Sequence, residues 1–116
     1  MGIMGNMKII DIPFGVTDWA SLPAGEHKGE AGTSLWRTVE SGGLRVRMVE
    51  YSPGFRADHW CARGHVLLVL EGELGVSLRD GRDFLLLPGM SFQTGDDKRA
   101  PHLIHTAKGA KVFLVD

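Results

Sequence analysis

The stretch Asp58-His59-Trp60-Cys61-Ala62-Arg63-Gly64-His65-Val66-Leu67-Leu68-Val69-Leu70-Glu71-Gly72 holds two of the chain's five histidines and its only cysteine, followed directly by an apolar run. In an extended strand, residues two apart share a face, so His59 and Cys61 point one way and Asp58 and Trp60 the other. Ala62-Arg63-Gly64 fits a three-residue hairpin loop with Gly64 free to take a positive φ. Cys61 and His65 then oppose each other, and directly opposed residues in an antiparallel pair have Cβ atoms roughly 4.5–5.5 Å apart. Imidazole and thiolate converging in this way suit a transition metal.

A fourth ligand must come from elsewhere in the chain. His102 and His105 are three positions apart and face opposite sides of a continuous strand. His102 would share its face with Ile104 and His105 with Leu103, so alternation alone leaves the choice open.

Outward from this stretch the chain reads as strands. At 44–51, Leu44, Val46 and Met48 alternate with Arg45 and Arg47, the period-two mark of a half-buried strand. On this reading the arginines take a solvated outer face, while Met48, Leu67, Val69 and Phe92 line the interior. Further strands are expected at 35–40, 55–61, 65–70, 74–78, 83–87, 90–94, 102–107 and 110–115. Ser41-Gly42-Gly43, Ser52-Pro53-Gly54, Glu71-Gly72-Glu73 and Asp80-Gly81 supply the turns. Sixteen glycines and five prolines are scattered through the chain, and no segment shows sustained helical periodicity. The expected class is all-β, an antiparallel barrel or sandwich. Val66, Leu68 and Leu70 would face outward and need cover, either from the N-terminal segment with Trp19 and Trp36 or from a second subunit. A homodimer is therefore expected.

At 116 residues the chain is one domain able to bury a core without disulfides. One cysteine forms no internal disulfide, which fits a reducing, cytoplasmic setting. Thirteen basic and fourteen acidic residues give a net charge of −1 with no basic block, so no nucleic-acid partner is expected. No apolar run reaches the ~20 residues of a membrane helix, so no membrane partner is expected either. The start, with Met1, Met4 and Met7, lacks the pattern of a signal peptide and carries no fold signal.

Gly54, four residues, His59-Trp60-Cys61, three residues, His65, six residues and Gly72 together resemble the first motif of the cupins. That motif runs Gly, a spacer, His-x-His, three or four residues, Glu, six residues, Gly; the spacer after Gly54 is one residue short. Pro88-Gly89 followed by Pro101-His102 is similar to the second cupin motif, with a longer loop at 95–100. More narrowly, Ala57-Asp58-His59-Trp60-Cys61 with Gly64-His65 and Val69-Leu70-Glu71-Gly72-Glu73-Leu74 resembles a group of small bacterial single-domain cupins named for a DHCW motif.

The resemblance implies a cupin-type antiparallel β-barrel (a double-stranded β-helix, or jelly roll) over 35–116; residues 1–34 are expected to pack on the barrel or on a dimer partner. It implies a divalent transition metal, zinc, iron or nickel, held by His59, Cys61, His65 and His102. It favours His102 over His105, which is left a structural or supporting role. Cys61 stands where the motif has its second histidine and His65 where it has glutamate, so this motif supplies no 2-His-1-carboxylate triad. Cupins holding their metal with three histidines include thiol dioxygenases, so oxygen chemistry stays open.

Three functions follow as expectations: a metal-dependent enzyme of unassigned reaction acting on a small molecule, a non-enzymatic ligand-binding or sensor module, and a metal-free structural dimer. Cys61 is either a ligand or a small buried hydrophobe. His27 reads as a loop histidine without a site role. Glu50 and Tyr51 are the nearest candidates for a general base.

Overall fold

The computed structural model describes residues 9–116. The methionine-rich start lies outside the described residues, as do the first eight positions of the 1–34 segment. After a short 3-10 turn at Trp19–Ser21, nine strands follow: β1 Gly25–Lys28, β2 Thr33–Ser41, β3 Leu44–Tyr51, β4 His65–Gly72, β5 Leu74–Leu78, β6 Asp83–Leu86, β7 Ser91–Thr94, β8 His102–His105 and β9 Ala110–Val115. They form a six-stranded sheet in the order β1-β2-β3-β9-β4-β7 and a three-stranded sheet in the order β6-β5-β8. Every recorded strand pair is antiparallel.

The local sequence explains the connections. Ser41 pairs with Leu44 across Gly42-Gly43, and Gly42 takes φ +58°, which the tight hairpin needs. Gly72, at φ +74°, lies against the Gly109 carbonyl so closely that a Cβ would collide with it. That close approach lets β4 turn into β5 while β9 stays paired beside it.

The core lies between the sheets. Val49, Leu67, Val69, Leu74 and Val112 are almost fully buried. Each such side chain contributes about 1.5–3 kcal/mol relative to an exposed position. β4 alternates as expected: Leu67 and Val69 are 1% exposed, whereas Val66 is 55% exposed.

Three local expectations are corrected. Residues 55–61 form no continuous strand; only Arg56 and Cys61 make isolated bridges, Arg56 to Ala31 and His105, and Cys61 to His102. Residues 62–64 close no hairpin. The backbone of Cys61 pairs with His102 instead, Gly64 N donates to the Asp96 carboxylate, and Asp97 N donates to the Ala62 carbonyl. The loop after β7 thus takes the backbone partners that a hairpin would have used. Finally, β3 has the expected period with the faces exchanged. Arg45 and Arg47 share the inward side with buried Val49 and Tyr51, while Met48 lies on the outer side opposite Phe113. The sheet also begins at β1, whose Gly-Glu-His-Lys sequence is exposed throughout and has no apolar alternation to reveal it.

Candidate metal centre

Cys61 and His102 are brought together by their own backbones. Cys61 N donates to the His102 carbonyl at 2.8 Å, and His102 N returns a bond to the Cys61 carbonyl at 2.9 Å. Such a reciprocal pair aims both side chains to one face of the ladder. His65, the first residue of β4, comes from the opposite sheet. Its Nε2 lies 3.4 Å from Cys61 Sγ, and its ring centroid lies 5.0 Å from that of His102. The donor atoms of Cys61, His65 and His102 all fall within 4.8 Å of one another. Tetrahedral bonds of about 2.0–2.3 Å hold donors within that spread, so the set fits a transition metal and leaves one position open.

The surroundings prepare the donors. His102 is 3% exposed, and Phe92 packs on its ring with centroids 5.4 Å apart. Burial, reinforced by neighbouring His65, pulls the His102 pKa down to about 4. Burial also lowers that of His65, against the opposing pull of Asp116. Both imidazoles are therefore neutral near pH 7 and offer lone pairs. Burial and the Asp116 and Asp96 carboxylates push the Cys61 thiol up, so a metal would have to displace its proton.

Behind His65, its Nδ1 lies 3.2 Å from Asp116 Oδ2. The approach is short but bent, and Nδ1 makes no well-formed hydrogen bond. The Asp116 side chain is 1% exposed and already takes Arg45 in a two-point pair, at 3.0 and 3.1 Å. A carboxylate behind a ligating imidazole fixes ring orientation and raises donor strength.

The structure thus brings together three of the four expected ligands. His59 stands apart. Its ring is 74% exposed at the cavity rim, and its Nδ1 lies 2.7 Å from Asp58 Oδ1. That contact holds the Asp58 carboxyl below its usual range. Without a regular strand at 55–61, the rule that would align His59 with Cys61 does not apply, and Asp58 turns to the same rim. Trp60 packs under Arg79. His105 faces away from the cluster, with Nε2 2.9 Å from Ser77 Oγ. Glu50 pairs with Arg37 at 3.0 Å. Tyr51 lines the cavity, where burial raises its pKa and keeps the phenol protonated.

The cluster sits in a cavity of about 550 Å³ between the sheets, a size typical of small-molecule sites. Leu67, Phe92, Ile104 and Leu114 supply apolar wall, and Arg45, Arg47 and Asp116 a charged one. A smaller cavity of about 410 Å³ shares Phe92 and His102 with it. The charged wall escaped the sequence reading. The signal for it was parity: Asp116 follows Val112 and Leu114 on one face of β9, and Arg45 and Arg47 precede Val49 and Tyr51 on one face of β3.

No protein-family model matches the sequence, and no curated protein does. Solved structures do match the fold. An RmlC-like cupin from Shewanella frigidimarina superposes with a TM-score of 0.71 at 17% identity, over 91% of this chain and 92% of that one. The polyketide cyclase RemF from Streptomyces resistomycificus gives 0.73 at 21% identity, over 89% and 78%. Fe(II)-HppE with the alternative substrate (S)-1-HPP gives 0.70 at 18% identity, over 89% and 60%. The chain has the cupin fold, an all-β jelly roll.

Proposed function

We propose that this protein is a small metal-binding cupin that holds a divalent transition metal through Cys61, His65 and His102 and binds a small molecule in the cavity beside it. The carrying observation is the convergence of three neutralisable donors within 4.8 Å at the wall of a cavity of about 550 Å³. A mixed sulfur and imidazole set favours zinc, iron or nickel over magnesium or calcium. With one position open, such a metal would supply Lewis-acid or water-activating chemistry to a bound molecule. Asp116 stands behind His65 to orient it, and Phe92 shields His102 from water. His59, exposed at the rim, is assigned no ligand role. The DHCW stretch supports membership of that bacterial cupin group, and the lone cysteine supports a reducing, cytoplasmic setting. Among the described residues, no helix is long and apolar enough to cross a membrane.

We also propose a homodimer through the outer face of the six-stranded sheet. Val66, Leu68 and Leu70 are 55%, 37% and 38% exposed there, and Val66 and Leu68 lie in register with Val115 and Phe113.

A second reading, a metal-free ligand-binding or sensor module, draws on the 3.4 Å Cys61–His65 contact, which a thiol donating to Nε2 would also satisfy. Elemental analysis of protein purified without a metal-affinity tag separates the two. About one metal per chain is expected, lost in Cys61→Ser and His102→Ala and kept in His59→Ala. Absence of metal from the wild type under varied growth media would refute the metal reading.

A further inference from the structure

The cavity's charge is the wrong sign for a site that binds only a neutral molecule beside a cation. Lys28, Arg45, Arg47 and Arg63 line it against Asp58 and Asp116. Both acids are engaged, Asp58 with His59 and Asp116 with Arg45. Lys28 and Arg63 are exposed and carry no recorded ion pair among the described residues; Arg47 is the part-buried cation left without an equal partner. Its Nε donates to Thr38 Oγ1 at 3.1 Å, and its Nη1 lies 3.8 Å from Asp116 Oδ2, beyond hydrogen-bond distance. Among the described residues its two Nη atoms donate no hydrogen bond. The group is nevertheless held in place: its side chain is 20% exposed, and its guanidinium lies over the Trp36 ring, 4.4 Å from the centroid. A fixed guanidinium with an open edge is the geometry that receives a carboxylate by two points. Arg47 Nη1 and His65 Nδ1 approach the same Asp116 oxygen, so Arg47 lies on the Asp116 side of His65, whose Nε2 faces Cys61. Leu67 and Phe92 on the same sheet and Ile104 on the facing one supply apolar lining.

We propose that the cavity takes a small organic carboxylate with an apolar body, and that Arg47 receives its carboxylate. The inference rests on reading the barrel interior as a ligand cavity and deepens that reading by naming the ligand class; Arg47 acts with or without a metal. The apolar lining and the one part-buried guanidinium with an open edge favour a carboxylate over a phosphate.

Isothermal titration of metal-loaded and metal-stripped protein tests it, with benzoate, phenylacetate and succinate against benzamide and phenylacetamide. Carboxylate binding at one site is expected, with each aromatic acid about tenfold or more tighter than its amide. Arg47→Met should bring the acids down to the affinity of the amides, and Arg47→Lys should retain part of the difference. Failure of all three acids to bind, amides binding as tightly as acids, or an Arg47→Met variant with unchanged acid affinity would each overturn the proposal. The acid–amide comparison on the wild type needs no folded variant. Arg47-dependent acid binding by a protein that retains no metal supports this inference while removing the metal reading. Metal retention without acid binding does the reverse.

Discussion

The two faces of the six-stranded sheet invert the usual polarity at one end of the barrel. On the inner face, Arg45, Arg47, Asp116 and His65 gather around the cavity, beyond the apolar layer of Val49, Val112, Leu67 and Val69. On the outer face, Val46, Met48, Phe113, Val115, Val66 and Leu68 lie in register across β3, β9 and β4. Charge is placed inside, where it meets a paired carboxylate and the cavity. Apolar surface is placed outside, where Trp19 packs edge-on to Phe113 and a second copy is proposed to cover the rest. Burying a charge is costly unless it is paired, so the Asp116–Arg45 pair is what makes the inner arrangement tolerable.

Adjacent residues on β4 sharpen the contrast most. Leu67→Ala should destabilise the protein by about 2–5 kcal/mol in denaturant titration, because it opens a cavity at a 1% exposed site. An effect no larger than that of an exposed substitution would place the core elsewhere.

Asp116→Asn comes next. It leaves the Arg45 pair uncompensated and weakens the support of His65, so stability should fall by about 1–3 kcal/mol. Metal affinity, read by chelator competition, should drop about 10–100-fold. Unchanged affinity would show that Asp116 serves the arginines alone.

His102 predicts a pH effect in metal-free protein. Its folded pKa, about 4, lies below the ordinary histidine value of 6.5, so the unfolded chain takes up its proton first. The stability tied to neutral His102 is fully present above pH 6.5 and is lost as pH falls toward 4. Melting temperature should decline over that window, and His102→Gln should flatten the decline. Equal slopes in the two proteins would mean that His102 is not buried in neutral form.

The smallest effect on monomer stability belongs to the outer face. Leu68→Glu should change it by only about 0.5 kcal/mol, as at an exposed site. In sedimentation measurements the same variant should be monomeric where the wild type is dimeric. A wild type that is monomeric throughout, or a variant that stays dimeric, would remove the outer face as the interface.

How much of this was legible depended on whether local pattern or distant backbone decided the outcome. β4 was readable because alternation, a closing Gly72 and a buried face all agree. The turn at Gly42-Gly43 was readable because its chemistry is local. The route by which Cys61 reaches His65 was not, because the backbone partner of Cys61 is His102, and the loop at 62–64 is held by Asp96 and Asp97. His102 could be chosen over His105 only through the cupin resemblance, since strand parity gave both an apolar neighbour. In the structure His102 and Ile104 line the cavity, and His105 turns to Ser77. The faces of β3 were not legible from its alternation, because an alternating strand shows its period without showing which side meets water. Only Val49 and Tyr51, on the same parity as the arginines, carried that information.

On the proposed function, Cys61 and not His59 completes the donor set with His65 and His102. The absorption spectrum of cobalt(II)-loaded protein tests it most directly, because a thiolate on cobalt gives a near-ultraviolet charge-transfer band that imidazoles alone do not. The band should be present in the wild type and in His59→Ala and absent in Cys61→Ser. A loaded wild type without the band, or a band that disappears with His59 while Cys61 is intact, would remove Cys61 from the donor set.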